Sequence, residues 1–169
     1  MSAADATEAW VRDFVIARTL CPFAARPYAL GLVQTVELPG TDLEQCFQGA
    51  LTQVQSLLDT PAEDVETTLL AFPEALADFE EFLDFLETLH VTLQEVGADE
   101  LLQLAHFHPR YVFDGAKEDD PGNRTNRAPY PVIQLLRVES VARAVAAHPD
   151  VEGIPARNVA LLRGLFGGN

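Results

Sequence analysis

A chain of 169 residues, 48% of them hydrophobic, has enough material for one sizeable core, so residues 1–169 are expected to form a single domain. Its 26 acidic residues against 11 basic ones leave a net charge of -15, which repels nucleic-acid phosphates and anionic membrane surfaces and sets both aside as partners. No apolar run approaches the roughly 20 residues that span a bilayer, the start MSAADATEAW lacks the pattern of a signal peptide, and two cysteines, Cys21 and Cys46, are too few for a disulfide framework; a cytoplasmic protein is expected.

From Ala6 to Leu20, the residues Trp10, Val11, Phe14, Val15 and Leu20 fall near helical spacing, and the turn at Cys21-Pro22 closes that helix. GLVQTVEL, residues 31–38, is rich in β-branched residues and ends at Pro39-Gly40, which predicts a first strand. Thr41 and Glu44 form a capping box ahead of a second helix with the stripe Leu43, Phe47, Ala50, Leu51, Val54, Leu57 and Leu58. TTLLAF, residues 67–72, is a continuous apolar run of strand length, the pattern of a strand buried on both faces. Pro73 suits the first position of a third helix that turns Leu76, Phe79, Leu83, Leu86, Leu93 and Val96 inward and Asp78, Glu80, Glu81, Asp84 and Glu87 to solvent. LLQLAHFH, residues 101–108, alternates as a third strand with His106 and His108 on one side. Beyond Tyr130, one helix is expected from Pro131 towards Ala147 and another from Pro155 to the Gly-rich end GLFGGN.

Strand and helix in alternation, with connections this long, imply right-handed crossovers. The expected fold class is α/β: a small, mainly parallel sheet of three to four strands with flanking helices. A fourth strand at Tyr111–Phe113, or an α+β arrangement of the ferredoxin-like kind with an antiparallel pair, are the alternatives.

The segment HFHPRYVFDGAKEDDPGNRTNRAPYP, residues 106–131, has no helical period. Its connection from Pro109 to Tyr130 far exceeds the usual two to six residues of a strand-to-helix loop, and loops so long are commonly functional. In open α/β sheets ligands gather at the carboxyl ends of strands, where His108 and Glu37 would lie. Arg110, Lys117, Arg124, Arg127 and Arg137 are five of the eleven basic residues, within 28 positions. Arginine forks suit carboxylate or phosphate, or else pin the loop.

LCPFA (residues 20–24), TTLL (67–70), QLAHFHPRYVF (103–113) and DDPGNRTNRAPYPVIQLLR (119–137) together resemble an uncharacterised bacterial family, domain of unknown function 1415. The resemblance runs through nearly the whole chain and implies a shared fold and site but no activity. Position 106, here His, is more often small and polar in that family, and position 134, here Gln, is more often His.

The functional expectation is a small enzyme that binds a compact anionic metabolite at the carboxyl edge of the sheet. Arg127 and Arg137 would hold the anion, Asn123 and Asn126 orient it, and His108 or Asp120 transfer a proton, with His108, Asp120, Asn126 and Arg127 converging on one cavity. His106, His108 and Asp119 are candidate ligands for zinc or iron, because two imidazoles two apart on a strand share a face. The alternatives are a non-catalytic module recognising an anion or an acidic partner, and a segment that only staples the C-terminal helices to the sheet. Cys21 is expected to be a packed thiol.

Overall fold

The apolar run Thr67–Ala71 lies inside a four-stranded sheet in the computed structural model, which describes residues 1–168. Strands β1 (Val33–Glu37), β2 (Thr67–Ala71), β3 (Leu102–Phe107) and β4 (Val132–Arg137) stand in the order β1-β2-β4-β3. All five residues of β2 are buried, as a run without alternation demands. β1 pairs with β2 in parallel, and β4 pairs with β2 on one side and β3 on the other, both antiparallel. β1, β2 and β3 therefore run in one direction, and β4 returns between β2 and β3.

The sheet is thus not mainly parallel: one of its three pairings is. The fourth strand is neither Tyr111–Phe113 nor missing, but lies where a helix was expected from Pro131. Val132, Ile133 and Leu135 are buried between two strands and two helical layers, so β4 has no solvent face to give it a period. The helix expected there begins only at Val138 (α5, Val138–Ala147), followed by α6 (Ile154–Phe166). Of the ferredoxin-like alternative, the unit β2-helix-β3 split by an antiparallel strand is present, with β1 added in parallel alongside β2.

At the N-terminus, α1 (Ala3–Trp10) is capped by the Ser2 hydroxyl, which accepts from the Asp5 amide, and continues as a wider π turn over Val11–Ile16. The short α2 (Ala25–Ala29) leads into β1. α3 (Leu43–Asp59) is capped by Asp42 rather than by Thr41, the carboxylate accepting from the amides of Glu44 and Gln45. α4 (Phe79–Glu95) starts at an Asp78 cap, five residues after Pro73. Phe82, Phe85, Leu89 and Leu93 face inward, whereas Leu83 and Val96 are 37% and 71% exposed.

α3 and α4 close one face of the sheet over Leu70, Phe72, Ile133 and Leu135, and this is the main core. α1 covers the other face at Leu69, Ala71 and Val132, where Trp10 meets Phe107 edge-on at 5.1 Å. A smaller cluster of Val15, Leu20 and Leu162 ties α6 to the N-terminal segment.

The phase of α4 is testable. Phe82→Ala should cost about 3–5 kcal/mol in denaturant unfolding, the usual price of a large cavity, whereas Leu83→Ala should stay within about 0.5 kcal/mol of the parent. A larger loss from Leu83→Ala than from Phe82→Ala would mean that the helix packs on the other stripe.

Candidate functional site

The register pairs Glu37 with Ala71, Ala71 with Val132, and Val132 with Phe107, so the ends of β1, β2 and β3 share one edge with the start of β4. The connection from His108 to Pro131 leaves and re-enters the sheet at this carboxyl edge.

His108 is fully buried just past β3, and both of its ring nitrogens are engaged. The Arg110 amide donates to Nδ1 at 3.0 Å, so the ring proton sits on Nε2, which donates to the Leu76 carbonyl at 2.9 Å. Phe79 and Phe82 flank the ring, each at 5.1 Å between centroids. Leu76 itself holds φ at 62°, an uncommon backbone for a branched residue, with its side chain in the core. Burial lowers the His108 pKa, against the Leu76 bond that raises it, and the Arg110 charge adds a smaller lowering. Both ring nitrogens are thus occupied by main-chain partners, and the ring is closed off from solvent.

The other polar residues of the loop also point at main chain. Asn123, 1% exposed, accepts from the Phe113 amide and donates to the carbonyls of Lys117 and Glu118. Asn126 donates to the His106 carbonyl at 3.0 Å, while its own carbonyl accepts from the His108 amide. Arg127 donates through Nε to the Tyr111 carbonyl at 2.9 Å and through Nη2 to that of Glu118 at 2.8 Å. A connection of this length, with little regular structure, leaves many carbonyls to satisfy, and the amide and guanidinium donors satisfy them.

Asp120 caps the 3-10 turn Pro121–Asn126 by accepting from the Gly122 amide, and pairs in a fork with Arg163 of α6 at 2.5 and 3.1 Å. These bonds, the Arg163 contact first, bring the Asp120 pKa down to about 2. Arg163 has no sequence signal of its own: it sits 43 residues away, in the last turn of a helix. Asn158, also unforeseen, is buried and donates to the Leu20 carbonyl at 2.7 Å.

Arg137 stands at the far end of β4, opposite Leu102, and its Nη2 donates to the carbonyls of Leu57, Thr60 and Val65. Arg127 and Arg137 are therefore at opposite edges of the sheet and do not form one clamp. The convergence on a single cavity is likewise only partial. His108 and Asn126 adjoin, but they lie under the loop, and Arg127 and Asp120 open onto different depressions. One, of about 510 Å³, is lined by Pro109, Arg110, Glu118, Asp119 and Arg127. The other, of about 390 Å³, holds Lys117, Asp120, Arg163 and Phe166.

His106, His108 and Asp119 are not brought together, and no cluster of three His, Cys, Asp or Glu side chains suited to a metal ion occurs among the described residues. The His106 ring stacks on Tyr111 at 5.5 Å with a buried Nδ1 that has no partner among the described residues, while burial lowers its pKa. Cys21 is half-buried beside the cluster of Val15, Leu20 and Leu162, in the turn leading to α2. Burial pushes its thiol pKa up, against backbone N–H bonds from Phe23 and Ala24 that pull it down, as fits a packed thiol.

Over residues 2–167 the chain matches the family model described as "Protein of unknown function (DUF1415)". The chain belongs to that family. No curated protein and no solved structure matches it. The blocks HFHPRYVF and DDPGNRTNRAPYP, through which the chain resembles this family, are the blocks that the His108, Asn123, Asn126 and Arg127 bonds tie together.

Two outcomes are expected. Arg127→Lys keeps one of two carbonyl bonds, so it should lower stability by about 1 kcal/mol and the melting temperature by roughly 2–4 °C. The His108 pKa is lowered in the folded state, so its contribution to stability is complete above the unfolded histidine value of about 6.5. It is lost as pH falls from there towards the folded value, because the unfolded chain takes up the proton first. Melting temperatures at pH 7.5 and 5 should thus differ less in His108→Gln than in the parent, with His106 common to both. An unchanged difference would mean that the His108 ring is not held neutral.

Proposed function

We propose that this protein is a binding module for a compact carboxylate or phosphate, held at the depression between Pro109, Arg110 and Arg127, and that it performs no proton transfer with His108 or Asp120. The observation that carries this reading is the state of Arg127. Its Nε and Nη2 are fastened to main-chain carbonyls, so the fork is immobilised, while Nη1 has no partner among the described residues. A guanidinium ordered in advance loses little entropy on gripping an anion.

Arg110 adds a second cation to the same depression, and its side chain makes no hydrogen bond or ion pair among the described residues. Glu118 and Asp119 on the rim favour a ligand that carries hydrogen-bond donors beside its acid group. The enzyme reading needs an accessible acid or base, and His108 and Asp120 are a fully buried imidazole and an ion-paired carboxylate. A reducing, cytoplasmic setting belongs to the proposal and is supported by two free cysteines.

Titration with inorganic phosphate, succinate and aspartate, followed by calorimetry, tests the reading. One of them should bind saturably, and Arg110→Ala should weaken it by roughly tenfold, the loss of one charge-assisted contact, with an unchanged melting temperature. Absence of saturable binding by all three, or an affinity indifferent to Arg110→Ala, would overturn it.

A further inference from the structure

The charge of this protein is divided sharply along the chain. Between residues 27 and 109 there are sixteen carboxylates and no Lys or Arg, whereas the rest of the chain has ten acids and eleven bases. The acidic stretch builds β1, α3, β2, α4 and β3, so its two long helices form one layer of the molecule. The ion pairs of the structure, Arg12–Asp13, Arg157–Asp150 and Arg163–Asp120, all lie outside this stretch. None of the sixteen has a cationic partner among the described residues.

Helix stability does not explain this arrangement on α4. Asp78, Glu80 and Glu81 sit at its N-terminal end, where negative charge is favourable. Glu87 and Glu95 do not. Glu95 is in the last turn, which has no basic residue, and Glu80 and Asp84 stand four apart as a like-charged pair; both features cost helix stability. A merely solvated face would relieve that cost with lysines at the same spacing.

On the same outer face, Leu83 and Val91 are 37% and 40% exposed, two turns apart and about 12 Å along the axis, with Glu87 midway. The inner face is occupied by Phe82, Phe85, Leu89 and Leu93, so these two side chains have no role in the core.

We propose that the outer face of α4, with Leu83 and Val91 set among Glu80, Asp84, Glu87 and Glu95, is the docking surface for a basic amphipathic segment of a partner protein. The partner is specified by complementarity. Its lysines or arginines meet unpaired carboxylates, and its apolar stripe covers Leu83 and Val91. This surface is separate from the depression at Arg110 and Arg127 and does not depend on it.

The test uses the full chain and two labelled peptides of roughly fifteen residues made of Lys, Leu and Ala, long enough to turn helical on contact. One has its leucines in helical period, and the other is the same composition scrambled. In fluorescence anisotropy the periodic peptide should bind at least about tenfold tighter than the scrambled one. Glu80→Gln/Asp84→Gln/Glu87→Gln should weaken it about tenfold at low salt and less at high salt, as screening predicts. Leu83→Ser/Val91→Ser should weaken it several-fold at either salt. Glu63→Gln/Asp64→Gln/Glu66→Gln, which removes as much charge elsewhere in the stretch, should have little effect. Equal binding of both peptides, equal loss from the two triple variants, indifference to the serine pair, or no binding at all would each overturn the proposal.

Discussion

The His108 imidazole joins the start of α4, the end of β3 and the long connection at one point. Its ring holds the Leu76 carbonyl in the turn ahead of α4 and the Arg110 amide in the long connection, and its backbone amide is bonded to Asn126 at the far side of that connection. Phe79 and Phe82 of α4 close over it, and Phe79 passes the contact to Tyr111 at 5.1 Å. A histidine suits this position because it offers one donor and one acceptor on a flat ring that can lie among aromatics. Phenylalanine would fill the space and leave a carbonyl and an amide unsatisfied in the interior, each at a cost of about 1–3 kcal/mol.

Much of this plan could be read from the residues, and the failures have physical causes. β1, β2 and β3, their shared direction and the long connection at their carboxyl edge follow from β-branched runs and turn residues. β4 did not, because PVIQLLR has the apolar spacing of a helix and of a doubly buried strand alike. The residues that follow, ESVARAV, do form a helix, and their apolar period continues without a break from that of the strand. Of the residues expected to turn inward along α4 and its flanks, Leu76, Phe79, Leu86 and Leu93 do lie in or against the core, and only Leu83 and Val96 turn to solvent. The apolar residues of α4 fill two adjacent stripes, and Phe82, Phe85, Leu89 and Leu93 are the buried ones.

At the site, the position of the loop was legible and the use of its side chains was not. An arginine fork fits two carbonyl oxygens as readily as two carboxylate oxygens, so Arg127 and Arg137 carry the same signature whether they hold a ligand or the main chain. A helix after Pro131 would keep Arg137 near Arg127, whereas β4 carries it to the opposite edge of the sheet. Asp120 could not be assigned without Arg163, whose proximity arises only when α6 packs on the 3-10 turn. Asn123 and Arg127 bond carbonyls of the loop and Asn126 that of His106 in β3, so these side chains are used to fasten the segment to itself and to the sheet.

The insertion of β4 between β2 and β3 also governs how the chain can reach its fold. β2 and β3 never touch as neighbours, so until residues 132–137 arrive the sheet consists of one parallel pair and a detached strand. Each of those has unpaired backbone groups and buried-type side chains exposed to water. Closure requires two long-range pairings at once, Leu102 with Arg137 and Thr67 with Leu136, after the intervening connection has curled back on itself. On the ribosome, no nascent chain shorter than about this point can complete its sheet, and the interval between emergence of β3 and emergence of β4 is when the protein is most exposed to self-association.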